Sequence, residues 1–167
     1  FSVSGGSDKI TYSFSGSDLK QEGIIGAGKS DYKRNTARFS LGADLTDKLK
    51  FSSNFIYTYL DRDALNENGL GSVLFNAINT PATLPVYDTN GTTYYTDPNV
   101  FQYLNPYAAA QTVANEGQND NLFGSLKADL DVYEGLTAGW FGSWRKTNSF
   151  NGYYLPAEST RHRHNQQ

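Results

Sequence analysis

Two consecutive runs of period-two alternation constrain this chain more than any other feature. In residues 122–132 the even positions are Leu122, Gly124, Leu126, Ala128, Leu130 and Val132, and the odd ones are Phe123, Ser125, Lys127, Asp129 and Asp131. After Tyr133-Glu134-Gly135 the pattern resumes. Leu136, Ala138, Trp140, Gly142 and Trp144 take one parity, and Thr137, Gly139, Phe141, Ser143 and Arg145 take the other. Side chains on a strand alternate faces with a period of two. Two strands joined by a tight turn therefore carry one apolar face and one polar, charged face. Each run is about ten residues or more, against a mean strand of roughly five to six. Length and two-facedness together predict a transmembrane β-hairpin, lipid on one side and a wet interior on the other.

Composition agrees with strands that are half wet. Hydrophobic residues make up 38% of the 167 residues, low for a chain that fills its own core, while 12 Tyr, 10 Phe and 16 Gly favour β-structure. The absence of Cys excludes a disulfide framework and a thiolate metal site. A net charge of −3 gives no basic footprint for nucleic acid. No run approaches the 18 or more apolar residues of a membrane helix, which leaves a barrel open, since barrel strands give a weaker hydropathy signal. The sequence opens at Phe1 inside an alternating run. It reads as an internal piece of a longer protein.

In chain order, Phe1, Val3 and Gly5 form the tail of a strand that ends at Gly6-Ser7-Asp8. The next strand starts near Lys9, with Ile10, Tyr12, Phe14 and Gly16 on one face and Thr11, Ser13, Ser15 and Ser17 on the other. A Gly-containing loop follows over residues 21–31. The third strand covers residues 32–45, with Ala37, Phe39, Leu41 and Ala43 apolar and Thr36, Arg38, Ser40 and Asp44 polar. Thr46-Asp47-Lys48 turns it into a fourth, residues 49–60, with Lys50, Ser52, Asn54 and Thr58 on the polar side. Ile56 and Leu60 break that pattern.

Residues 61–120 form the long connection. Leu70, Val73, Leu74, Ala77 and Ile78 follow helical spacing and predict a short amphipathic helix that Pro81 stops. Asp97-Pro98 and Asn105-Pro106 each place a capping residue before Pro, and the second leads into a short helix through Tyr107-Ala108-Ala109-Ala110-Gln111. Val86-Tyr87 and Thr93-Tyr94-Tyr95 flank Asn90-Gly91 as a small hairpin. Residues 151–167 leave as a polar tail.

The connections alternate short, longer, short, very long, short, open, the rhythm of bacterial outer-membrane barrels with short periplasmic turns and longer external loops. On that rhythm the turns at residues 6–8, 46–48 and 133–135 face the periplasm, and the loops at 21–31 and 61–120 face outward. Tyr32, Tyr57, Tyr59 and Trp144 then fall toward the outer rim, where an aromatic girdle is expected.

At this point a family resemblance is carried by ordered motifs. Phe1-Ser2-Val3-Ser4-Gly5-Gly6-Ser7-Asp8-Lys9, then Tyr12-Ser13-Phe14-Ser15-Gly16, resembles a segment of SusC/RagA-type TonB-dependent transporters. Gln21-Glu22-Gly23-Ile24-Ile25 and Lys33-Arg34 are similar to the same barrels. Thr80-Pro81-Ala82-Thr83-Leu84-Pro85-Val86-Tyr87-Asp88, Asn90-Gly91, Asn105-Pro106 and Ala108 resemble their first large external loop. The resemblance runs in order to about residue 155; the Arg161-His162-Arg163-His164 tail lies outside it. It implies a plugged barrel of about 22 strands in the outer membrane of a Gram-negative bacterium. It also implies TonB-driven uptake of glycans or oligopeptides with a SusD-like surface lipoprotein as lid. The plug domain and the TonB-contacting segment are not among these residues.

The fold class expected is thus all-β: an antiparallel transmembrane β-barrel portion of about six strands, spanning residues 1–167, with one long extracellular loop containing short helices. Outer-membrane lipid is the partner of its apolar face. Arg38, Asp44, Lys50, Lys127, Asp129, Asp131 and Arg145 fall on polar faces and are expected to face the lumen. A charge on the lipid face would cost roughly 2–4 kcal/mol at the midplane, so their parity fits the barrel. Tyr87, Tyr94, Tyr95, Tyr103 and Tyr107 crowd the long loop and are the candidate substrate contacts, since aromatic faces stack on sugars and pack peptides. Packing of the loop on itself or on the lid is the competing use. Asp61, Asp63 and Glu67 lack the twelve-residue calcium pattern, and His162 and His164 have no other His or Cys to complete a metal site. Residues 23–30 miss the P-loop spacing. No catalytic residue, metal or cofactor is expected, and the protein is read as a non-enzyme. The alternative class is a soluble β-rich adhesin or carbohydrate-binding module.

Overall fold

In the computed structural model the alternating runs pair into one sheet. The structure describes residues 1–25, 28–66, 72–97 and 105–155. Its strands are β1 (Ser2–Gly6), β2 (Ile10–Glu22), β3 (Asp31–Thr46), β4 (Leu49–Asp63), β5 (Ala114–Tyr133) and β6 (Leu136–Tyr154), with helices α1 (Val73–Asn79) and α2 (Pro106–Thr112) between β4 and β5. The six strands form an open antiparallel sheet in the order β1-β2-β3-β4-β5-β6. A meander needs only tight turns and external loops, so each strand finds its sequence neighbour. From β2 onward the strands are 13 to 20 residues long. A tilted strand needs about 9–11 residues to cross a bilayer.

The turns are built by specific residues. Gly135 adopts φ +81° at the β5–β6 turn, a conformation that a side chain disfavours. Thr46 closes the β3–β4 turn by accepting the Leu49 N–H on its Oγ1 at 3.0 Å.

The chain divides into two compact units. The first comprises residues 1–20, 33–61 and 118–150; the second comprises residues 21–32, 62–117 and 151–167. In the first unit the two faces of the sheet differ as the alternation predicts. On the apolar face Val3 lies opposite Phe14 and Gly5 opposite Tyr12. Trp144 of β6 lies across Gly124 of β5 and meets Phe55 of β4, their ring centroids 6.4 Å apart. A Cβ at Gly124 would come within 2.6 Å of the Trp144 ring, so glycine is what admits the contact. Gly16 likewise sits beneath Phe1. These apolar groups are exposed: Phe1 81%, Trp140 58%, Leu136 57%. Among the described residues the buried ones of this unit are small, Ser53, Gly124 and Ser125.

Hydrophobic burial sits in the second unit, where Leu65, Val73, Ala109 and Ala110 cluster between α1 and α2. Each helix is opened by a side-chain cap. Ser72 Oγ accepts the Phe75 N–H at 3.1 Å, and Asn105 Oδ1 accepts the Tyr107 and Ala108 N–H groups at 3.1 Å each. Pro106 occupies the first turn of α2, where no N–H is missed.

Three expectations are adjusted. The Leu70–Ile78 spacing locates α1, but its buried side is Val73 and Asn76; Leu74 and Ile78 are 45% and 74% exposed, Ala77 is exposed, and Leu70 lies outside the described residues. Asn76 is buried because its Nδ2 donates to the Ser72 carbonyl at 2.8 Å, a bond that spacing of apolar residues does not reveal. Secondly, β5 begins at Ala114 and β4 extends to Asp63. Residues 114–120, Ala-Asn-Glu-Gly-Gln-Asn-Asp, are polar on both parities, so their strand is held by the ladder rather than signalled by alternation; just beyond β4, Ala64 N–H donates to the Asn115 carbonyl at 2.9 Å. Thirdly, the small hairpin is a single bridge, Tyr87 to Tyr94, with Gly91 at φ +69°. The tail expected from residue 151 starts later, since residues 151–154 end β6; the tail beyond residue 155, and Pro98 of the expected Asp97-Pro98 helix opening, fall outside the described residues.

Candidate functional site

Four charged residues of β5 and β6 lie on the face opposite Trp140 and Trp144, while Asp120 accepts the Tyr57 hydroxyl at 2.8 Å. Lys127 Nζ pairs with Asp129 at 2.6 Å along β5. Asp131 accepts the Thr137 hydroxyl of β6 at 2.7 Å. Arg145 Nε of β6 donates to Asn121 Oδ1 of β5 at 2.9 Å, and Asn119 Nδ2 donates to Ser149 Oγ at 2.9 Å. These bonds join odd positions of β5 to odd positions of β6, so Lys127, Asp129, Asp131 and Arg145 share one face. Arg38 sits on β3 with Arg34, Thr36, Ser15, Ser17 and Thr58 around one concavity. Asp44 and Lys50 have the parity of Arg38 and Thr58 on the same strands.

Arg34 belongs with Arg38, although sequence reading used it only in a motif. The available signal was its parity, four residues before Arg38 on one strand. Ser15, Ser17 and Thr58 come from other strands, so only the pairing register brings them there.

In the second unit three of the loop tyrosines form one group. Tyr87 and Tyr94 stack with centroids 5.4 Å apart and ring planes 20° apart. Tyr107 meets Tyr87 edge-on at 6.2 Å and Tyr94 at 6.3 Å. Partial loss of solvent pushes the Tyr87 hydroxyl above the ordinary tyrosine range, with further upward pushes from Tyr107, which also hydrogen-bonds it, and from Tyr94. Tyr95 enters through its backbone: its N–H donates to the Val86 carbonyl at 3.0 Å, and its carbonyl accepts from Asn105 Nδ2 at 3.2 Å. Asn105 Nδ2 also donates to the Val86 carbonyl at 2.9 Å. One amide thus caps α2 and holds the hairpin that carries the tyrosines. Tyr87 and Tyr107 are 42% and 43% exposed, which leaves ring surface free for a ligand. Tyr103 lies outside the described residues.

Among the described residues no three His, Cys, Asp or Glu side chains come together around a potential ion; Glu67, His162 and His164 are not among them. Among the described residues no helix is long and apolar enough to cross a membrane, which says nothing of strands.

No protein-family model matches the chain. TonB-dependent receptor P26 of Formosa agariphila is 33% identical over 134 residues, which cover 80% of this chain and 13% of that protein. The fold is shared with the RagAB peptide importer in its closed-closed state, with a TM-score of 0.70 at 22% identity over 95% of this chain and 18% of that one. A second RagAB peptide transporter structure gives a TM-score of 0.63 at 24% identity, covering 89% of this chain and 17% of that one. This chain therefore spans less than a fifth of each relative. The chain is thus similar in sequence to a stretch of a TonB-dependent receptor and shares the fold of a stretch of the RagAB structures.

Proposed function

We propose that this chain is a stretch of the wall of an outer-membrane importer. Its aromatic face meets lipid and its charged face lines the solute path. The observation that carries this reading is the inversion in the first unit, where Phe1, Trp140 and Leu136 stand exposed on one side while Lys127, Asp129, Asp131 and Arg145 interact on the other. In water an apolar face of this size forfeits roughly 25 cal/mol for each Å² left uncovered, and hydrocarbon removes that cost. Arg38, Asp44 and Lys50 extend the lumen-facing set. The turns after β1, β3 and β5 lie on the periplasmic side and the long loop outside.

The solute is a glycan or an oligopeptide, TonB supplies the drive through parts of the receptor beyond this stretch, and a SusD-like lipoprotein covers the outer opening. The description of the structural neighbours as a peptide importer and a peptide transporter supports uptake, and the receptor relative supports the dependence on TonB. The Tyr87–Tyr94–Tyr107 group gives the external loop a stiff aromatic surface for solute, and no catalytic step is assigned to any residue. The full-length receptor is expected to require detergent and to shift its gel migration on boiling, as a closed barrel does. A parent protein that stays soluble and monomeric without detergent would overturn the importer reading in favour of a soluble adhesin or carbohydrate-binding module.

A further inference from the structure

On the polar face of the first unit lies a trough with walls from three neighbouring strands. Ser15, Gly16 and Ser17 of β2, Arg34, Thr36 and Arg38 of β3, and Thr58 of β4 line it. The Asp44 N–H donates to the Lys9 carbonyl, and counting along that antiparallel pair sets Ser15 opposite Arg38 and Ser17 opposite Thr36. Its side-chain groups are two guanidiniums and four hydroxyls, with no carboxylate among the described residues that line it. The other charges of this face are differently placed. Lys127 is balanced by Asp129 at 2.6 Å, and Arg145 is engaged by Asn121 at 2.9 Å. Among the described residues neither Arg34 nor Arg38 has an ion-pair partner.

A guanidinium offers five N–H donors in a planar fork that fits an oxyanion two bonds at a time. Hydroxyls add donors and acceptors for the remaining oxygens of a polar solute. Four residues of strand put the two Cα positions about 13 Å apart, which lets the long side chains converge over Thr36. We propose that this trough is a subsite for an oxyanion group of the transported solute, a carboxylate or a sulfate. The proposal rests on the importer reading for where the solute comes from and deepens it by naming the charge the solute carries.

The test is calorimetric titration of the full receptor in detergent with sodium sulfate, a uronic-acid oligosaccharide, a short acidic peptide and a neutral oligosaccharide. At least one anionic probe is expected to bind, and the neutral one to bind about tenfold more weakly or worse. The double variant Arg34→Gln/Arg38→Gln should weaken the anionic probe about tenfold or more. Lys9→Gln, which removes a charge paired with Asp47 away from the trough, should change it less than about twofold. Which anionic probe responds identifies the source of the oxyanion. No anionic binding, an unchanged double variant, or equal weakening by Lys9→Gln overturns the subsite. Heat-shifted, detergent-dependent migration of every variant serves as the barrel check. An inserted barrel with no arginine dependence sinks the trough alone. A receptor soluble without detergent sinks the importer reading, while sulfate binding still reports on the arginines.

Discussion

The two units of this chain solve the burial problem in opposite ways. In the sheet unit the bulky residues of the aromatic side stand out, with Trp144 46% and Trp140 58% exposed, while Ser53 and Ser125 are enclosed. In the loop unit the enclosed residues are Leu65, Val73 and three consecutive alanines of α2, beside the polar Ser72, Asn76 and Asn105. The sheet is thus held by its ladder and by whatever medium covers its aromatic side. The loop unit buries little apolar area and leans on caps and side-chain tethers, each worth roughly 0.5–2 kcal/mol. A change of medium should therefore dominate the first unit, and loss of a single amide the second.

The largest effect tests that division on the sheet. Leu126→Arg sets a charge on the aromatic face and should cost roughly 2–4 kcal/mol at mid-bilayer depth, seen as loss of the heat-shifted band and a lower urea midpoint in lipid. Arg145→Leu, on the opposite face, should be tolerated better; equal losses in the two would break the assignment of faces. Next comes Gly124→Val, whose side chain would meet the Trp144 ring. Overpacking of this kind costs about 1–3 kcal/mol, and the change should appear in Trp fluorescence. A neutral result would mean that the Trp144 ring moves aside freely.

In the loop unit, Asn105→Ala removes the α2 cap and both hairpin bonds, for about 1–2 kcal/mol. Faster amide exchange should appear in residues 86–95 and 106–112 without a change in β2 or β3; spread into the sheet would count against separate units. The smallest effect is pH-dependent. Tyr87 titrates above its ordinary value of 10.0, so the neutral phenol is the form the folded loop favours. Its contribution is full below the unfolded value and is lost as pH rises through the folded one. Ultraviolet titration of the wild type against Tyr87→Phe should show that Tyr87 ionises late, and Tyr107→Phe should bring it back toward the ordinary value.

Much of the sheet was legible because alternation is a local property: once Leu122 to Val132 repeat with a period of two, the face of Lys127 follows. Residues 114–120 gave no such signal, being polar on both parities, and became strand through partners distant in sequence. The α1 pattern marked a helix but not its packed side, since a seven-residue helix resting on small alanines can bury Val73 and Asn76 and leave Leu74 out. Of the sites, Arg38 and the loop tyrosines could be named from residue type and position. The trough could not, because Ser15, Arg34 and Thr58 lie on three strands and meet only through register. Nor could the second use of Asn105, because a cap is local and a tether is not.

The glycines beneath the rings have a further consequence. Trp144 lies against Gly124 and Phe1 against Gly16. Each ring takes up a position that a neighbouring side chain would otherwise occupy, so the surface has less relief than a count of its Trp and Phe suggests. On the importer proposal, an acyl chain sliding past such a wall would meet a lower profile at these two places. Filling those glycine hollows would roughen the surface before it broke the sheet.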